Sequence, residues 1–158
     1  MKRCFEIISE AQQKIDFKTV EDYDIKLPKR ATTGSAGYDF FAPYDICLNP
    51  GEAIVIPTGI RVHMNQNEVL MIYPRSGLGT KYYLRLANST GIIDSDYYYS
   101  DNEGHIFLKL RNESTTKILS IKQGGAICQG VFTTYLLTDD DEIGSKEIRN
   151  GGFGSTTA

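Results

Sequence analysis

Five stretches hold residues whose types and spacing could do chemistry. Gly91-Ile92-Ile93-Asp94-Ser95-Asp96-Tyr97 sets two carboxylates at i and i+2. On a strand both face the same side, and like charges that close call for a water, a donor or a metal. One of them could act as a general base toward water; two solvated acids on a hairpin shoulder are the plainer alternative. Pro74-Arg75-Ser76-Gly77 ends an apolar run and opens a short helical turn, where backbone donors, a guanidinium and a hydroxyl could hold an anion. The plainer alternative is a Ser N-cap beside a surface Arg. Asp39, in Ala36-Gly37-Tyr38-Asp39-Phe40-Phe41, is a poor strand residue and calls for a partner or a metal-bound water, unless it caps a turn. Gln129 interrupts the apolar run Ala126 to Phe132, so it faces a ligand, a subunit interface or solvent. The chain's last residues, Arg149-Asn150-Gly151-Gly152-Phe153-Gly154-Ser155-Thr156, join an anion-pairing cation and two hydroxyls to glycines that allow convergent N–H groups. Phe153 among them could stack on a planar ligand; a frayed tail is the alternative. No Gly-Lys-Ser/Thr follows, so this is not a Walker A loop.

Other chemistries are disfavoured. Cys4, Cys47 and Cys128 are odd in number and form no CxxC pair, which argues against a disulfide framework or a cysteine-rich zinc site. They read as small core residues in a reducing, cytoplasmic compartment. His63 and His105 are too few for a multi-histidine metal site and are expected on surface strand faces. A net charge of -3 and a pI near 5.4 make a general nucleic-acid binder unexpected, because duplex affinity comes largely from clustered cations. No apolar run approaches the roughly 20 residues that span a bilayer, and the stretch in MKRCFEIISE is too interrupted for a secretory leader. Neither membrane insertion nor secretion is expected.

The elements that must position these residues are short strands. The chain's 158 residues fit one domain, or one domain and an arm, and an apolar content of 41% suffices for a core. Ile60 to Met64 and Ile106 to Leu110 alternate apolar and polar side chains. Val69 to Tyr73 and Ile127 to Tyr135 are rich in β-formers. Asn49-Pro50-Gly51, Pro57-Thr58-Gly59, Asn65-Gln66-Asn67 and Gln123-Gly124-Gly125 are turn signals between them. The pattern predicts an all-β fold, a barrel or a jelly roll. Its only expected helix is one or two turns over Ser76 to Tyr82, weakened by Gly77 and Gly79. Tyr97 to Gly104 is expected as a polar, aromatic hairpin tip. Residues 1–138 are expected to form the domain, and 139–158, acidic and then glycine-rich, a mobile C-terminal arm.

Taken in order, AGYDFFAPYD (36–45), PRSGLGTK (74–81), NSTGIIDSDY (88–97), GGAICQGVF (124–132) and RNGGFGST (149–156) resemble the five motifs of the trimeric dUTP diphosphatase (dUTPase) family. The resemblance runs from about Leu27 to the end of the chain. It implies a jelly-roll homotrimer whose sites draw on all three chains. It implies Mg2+-dependent hydrolysis of dUTP to dUMP and pyrophosphate, limiting uracil incorporation into DNA and supplying dUMP for dTMP synthesis. Carried over by residue, Asp94 orients and deprotonates the water that attacks the α-phosphorus. Tyr97 packs on the deoxyribose, and Asn88 with the backbone around Gly91 holds uracil. Arg75, Ser76, Gly77 and Gln129 hold phosphates, and Asp39 supports the metal through water. Phe153 stacks on uracil, while Arg149, Gly154, Ser155 and Thr156 grip the γ-phosphate as the arm closes over a neighbouring site.

Three departures stand out. Tyr98 to Glu103 intervene before Gly104, where the family has a short turn, and this longer tip leaves room for a regulatory protein partner. Gly125 and Ala126 replace a usual Asp-Arg pair. Asn150 replaces a more usual residue in the last motif. The resemblance leaves two alternatives: the related dCTP deaminase branch of the same fold, against which the segment Gly91 to Asp94 speaks, and a catalytically silent regulator.

Overall fold

Runs with an apolar side chain at every second position can bury one face only by pairing into sheets. The computed structural model, which describes residues 3–141, pairs them in this way. β1 (Cys4–Ile7) leads into α1 (Glu10–Asp16). β2 (Lys29–Arg30), β3 (Tyr38–Phe41), β4 (Ile46–Leu48), β5 (Ala53–Pro57), β6 (Ile60–His63) and β7 (Glu68–Pro74) follow. After α2 (Ser76–Tyr82) come β8 (Leu84–Leu86), β9 (Gly91–Asp94) and a 3-10 helix (Ser95–Tyr99). β10 (Phe107–Asn112), β11 (Leu119–Ile121) and β12 (Ala126–Thr134) complete the order.

All pairings are antiparallel. The largest sheet has five strands in the order β2-β3-β12-β7-β9, and β5-β10-β8, β1-β6 and β11-β4 form smaller ones. The result is the expected all-β jelly roll with a very short helix at Ser76–Tyr82. Its core holds Phe40, Ile56, Leu70, Ile72, Leu108, Leu110 and Ile127, each almost wholly buried. Alternation holds within the strands: Leu108 and Leu110 point in while Lys109 and Arg111 point out.

β12 is paired along both edges and carries a bulge between Ala126 and Cys128. The extra residue explains why Ile127 and Cys128, neighbours in sequence, are both buried, and why alternation resumes one position later with Gln129 on the outer face. The Cys128 thiol, buried among apolar groups, is pushed up to about 12. Cys47 is exposed and Cys4 half-buried, so only Cys128 is the core residue expected of all three.

Residues 3–26 are a second departure. β1 pairs with β6, from Cys4 opposite His63 to Ile7 opposite Ile60. Ser9 caps α1 by accepting from the Gln12 N–H, and Phe17 at its end is buried and stacks on Tyr23 at 4.3 Å. A seven-residue helix lies below what propensity alone sustains, so its stability comes from this docking.

Near β1, Arg3 Nε donates to Glu68 at 2.9 Å, and the Asn65 N–H and side-chain amide donate to the same carboxylate. These donors, Arg3 foremost, hold the Glu68 carboxyl down at about 2, against an ordinary value of 4.5. A depressed carboxyl adds stability above its unfolded pKa and loses it as pH falls through the folded value. Wild-type protein should therefore lose melting temperature between about pH 4.5 and pH 2, and Glu68→Gln should flatten that part of the profile. Thermal melts across this range check it; parallel profiles would refute the role given to Glu68.

Candidate active site

The outer face of the five-stranded sheet places the chemistry. Asp39 on β3, Gln129 on β12 and Tyr73 on β7 stand in one cross-strand row. Arg75 follows Tyr73 by two residues on the same face, and its Nε lies 3.4 Å from Asp39 Oδ1. Asp39 is 9% exposed, so the buried strand carboxylate has the partner its sequence position called for. Gln129 donates to the Pro74 carbonyl at 3.5 Å. A Cβ at Gly37 would stand 2.6 Å from Gln129 Oε1, so a side chain there would displace the amide.

Arg75 is the cap residue of α2 and Ser76 its first helical residue, with no side-chain cap bond, so the Ser N-cap alternative does not hold. Ser76 and Gly77 are exposed. Tyr73, Arg75, Ser76, Thr80, Tyr83 and Arg85 border an open cavity of about 520 Å3. Exposed guanidinium and hydroxyl groups beside a helix start suit an anion.

At the other end of the same face, Asp94 closes β9 opposite Val69, and Ile92 stands opposite Met71. Asp96 lies in the 3-10 helix rather than on a strand, yet both carboxylates border one cavity of about 480 Å3, with Val69, Met71, Ile92 and Tyr135. The apolar wall beside Asp94 suits an apolar ligand edge, and the two carboxylates suit a water. Asn88 is exposed in the turn between β8 and β9, where Ser89 takes a φ of 66°. Gly91 lies over Ile72, whose Cβ would be 3.0 Å from an added Cβ.

Tyr97 is 6% exposed; its hydroxyl donates to the His105 carbonyl at 2.7 Å and accepts from Asn102 Nδ2 at 2.8 Å. The expected hairpin tip is thus the 3-10 helix and two turns, folded onto the N-terminal segment. Tyr98 donates to Glu6 at 2.8 Å, and Ser9 donates to Glu103 through both its N–H and its hydroxyl. These donors lower the Glu6 and Glu103 carboxyls below the usual range. Tyr99 remains 69% exposed.

His105, expected on a surface face, is 0% exposed. It precedes β10, so strand alternation does not govern it. Its Nε2 accepts from the Gly59 N–H at 2.8 Å, which leaves Nδ1–H to donate to Asp16 at 2.6 Å. Burial lowers its pKa, and the Asp16 carboxylate opposes that shift. No local signal in the sequence joins residues this far apart.

The two ends do not meet within one chain. Val69, opposite Asp94, and Arg75 are six residues apart along β7, roughly 20 Å at about 3.3 Å per residue. Met71 and Val131 are half-buried and Ile92 is 58% exposed on the face between them. Arg149, Phe153, Gly154, Ser155 and Thr156 lie outside the described residues. Among the described residues no group of three or more His, Cys, Asp or Glu side chains gathers for a metal, and no helix is long and apolar enough to cross a membrane. Asp39, one shielded carboxylate, fits a Mg2+ ion held through water, an ion that keeps several waters and takes other ligands from phosphates.

Comparison with known proteins identifies the family and the fold. A sequence model of the dUTPase family matches residues 23–157. The chain is 46% identical over 146 residues to the deoxyuridine 5'-triphosphate nucleotidohydrolase of Lactococcus lactis subsp. lactis (strain IL1403), covering 90% of this chain and 97% of that protein. The crystal structure of dUTPase from Streptococcus mutans superposes with a TM-score of 0.69 at 34% identity, over 86% of this chain and 98% of that one. A mutant dUTPase from phage phi11 of S. aureus, whose structure reveals the coordination of a structural Mg(II) ion, shares the fold at a TM-score of 0.66 and 20% identity, over 93% of this chain and 99% of that one. With the family model spanning most of the sequence and a relative close to half identical along it, the chain belongs to the dUTPase family.

Proposed function

We propose that this protein hydrolyses dUTP to dUMP and pyrophosphate, in sites assembled from opposite sheet ends of neighbouring chains in a homotrimer. The observation that carries the reading is the placement of Asp94 and Arg75 at the two ends of one outer sheet face, with an apolar strip between. A base and the phosphate donors it serves must converge on one phosphorus. About 20 Å of strand keeps them apart within a chain, so Arg75 of one chain needs Asp94 of another. Family membership and the relatives' activity supply the substrate.

Asp94 takes the proton of a water aimed at the α-phosphorus, its carboxylate orienting that water by accepting the hydrogen it will remove. Arg75, Ser76, Gly77 and Gln129 hold the phosphates, donors aimed where charge develops. When bound, Mg2+ would neutralise phosphate oxygens, with Asp39 holding it through water. Asn88 and the backbone near Gly91 read uracil, and the Tyr97 ring forms the floor under the deoxyribose. A hydrogen-bonding base site discriminates strongly, because the wrong base leaves polar groups unpaired. Residues 139–158 form an arm that closes over a neighbouring site, where Phe153 stacks on the base while Arg149, Gly154, Ser155 and Thr156 take the γ-phosphate.

Pyrophosphate release with Mg2+ should be rapid from dUTP and weak from dCTP, dTTP and UTP. Ammonia release from dCTP, or no release from dUTP, would overturn the reading. Asp94→Asn alone should lower turnover by about 10²–10⁴-fold. Assemblies refolded from equal amounts of Asp94→Asn and Arg75→Ala chains should recover about a quarter of wild-type activity, the chance that two neighbours both bring intact residues. No recovery would place both residues of a site in one chain. Truncation after Ile148 should leave the melting temperature within about 2 °C of wild type while removing most activity; a collapsed melting temperature would make the arm structural.

A further inference from the structure

Residues 3–17 lie outside the stretch that matches the family model, yet their polar side chains converge on the segment that follows Asp94. Glu6 meets Tyr98, Ser9 meets Glu103 and Asp16 meets His105. Of these contacts the last is built most tightly. The His105 ring is held at both nitrogens, by Asp16 from α1 and by the Gly59 N–H from the turn before β6. Phe107 flanks it at 4.2 Å and Phe17 lies over it at 6.2 Å, nearly parallel. The carbonyl of this same residue accepts the Tyr97 hydroxyl.

The loop between the two residues has little slack. Gly104, at a φ of 70°, lies so close to the start of the loop that an added Cβ would stand 2.7 Å from the Tyr97 carbonyl oxygen and from Tyr98 Cα. A displacement of His105 is therefore passed to Tyr97 through the phenol bond and through the backbone. Removing Asp16 would strand a buried Nδ1–H, which is costly enough to tilt the ring or admit water.

We propose that Asp16 and His105 are positioning residues for substrate selection, fixing the Tyr97 ring so that the floor of the sugar pocket leaves no room for a 2′-hydroxyl. The N-terminal segment thereby takes part in choosing deoxyribose over ribose without touching the nucleotide. The inference rests on the reading of Tyr97 as the sugar platform of a dUTP hydrolase.

The test is the ratio of kcat/KM for dUTP to that for UTP. Wild type should show a large ratio. Asp16→Ala should lower it by about tenfold or more, chiefly through better use of UTP, and Asp16→Asn, which keeps an acceptor for Nδ1–H, should restore it. Adding Asp16→Ala to Tyr97→Phe should change the ratio by less than Asp16→Ala does alone, because the phenol bond carries part of the route. A folded Asp16→Ala protein with a ratio within about twofold of wild type would overturn the assignment, as would additive effects in the double variant. If Asp16→Ala does not fold, Tyr97→Phe carries the test, and an unchanged ratio there overturns it equally. A wild-type protein that hydrolyses dUTP and UTP alike would instead overturn the reading of the site, and the assignment with it.

Discussion

A β-strand cannot be shortened or folded back between its ends, and β7 sets this distance for the whole site. Its outer side chains run from Val69, opposite Asp94, to Tyr73, after which the chain delivers Arg75. Pairing with β12 on one side and β9 on the other keeps the strand straight and in register. The bulge in β12 then sets which of its residues share the face, bringing Gln129 level with Asp39 and Tyr73. Asp39, Gln129 and Asp94 are thus placed by backbone pairing, to which the Asp39–Arg75 ion pair and the Gln129–Pro74 bond are added. That is the kind of support a reaction needs when small misplacements are costly.

The segment after Asp94 obeys a different logic. It has left the sheet, so no ladder holds it, and its position comes from side chains: Tyr97 on His105, Tyr98 on Glu6, Glu103 on Ser9. The Tyr97–His105 bond is buried and the Ser9–Glu103 bonds are exposed; a buried polar group specifies one arrangement only when it is satisfied. His105 meets that condition through its two ring nitrogens. The longer tip and the N-terminal segment are each other's packing surface, which explains how a polar stretch stays ordered beside the site.

Much of the site was legible in the sequence wherever a residue broke a local rule. Asp39 is an acid in a strand, Gln129 an amide in an apolar run, and Arg75 a cation just past the end of one; each proved to stand on the outer face of one sheet. β6 was legible because its alternation is uninterrupted, with Ile60 and Val62 buried and Arg61 and His63 partly exposed. What stayed hidden depended on distant partners. α1 is short, and nothing within it predicts that Phe17 and Asp16 meet Tyr23 and His105. His105 misleads because its polarity and its place before a strand suggest solvent, whereas its partners come from α1 and the β5–β6 turn. Asp96 was expected beside Asp94 on a strand and reaches the same cavity from a 3-10 helix. Local patterns set element types, and only tertiary contacts set where an element's ends go.

The outer face of the five-stranded sheet carries one more implication. Its apolar strip would hold back about 25 cal/mol of stabilisation for each Å2 left in water. In the proposed trimer, copies of the chain would cover that strip, and the folded state would draw on mass action as well as on its own core. Dilution would then act as a denaturant: as chain concentration falls, the sheet that positions Asp94 and Arg75 would lose its cover and with it part of its stability. Folding and site assembly would be one equilibrium, with the protein's own abundance as the variable that governs both.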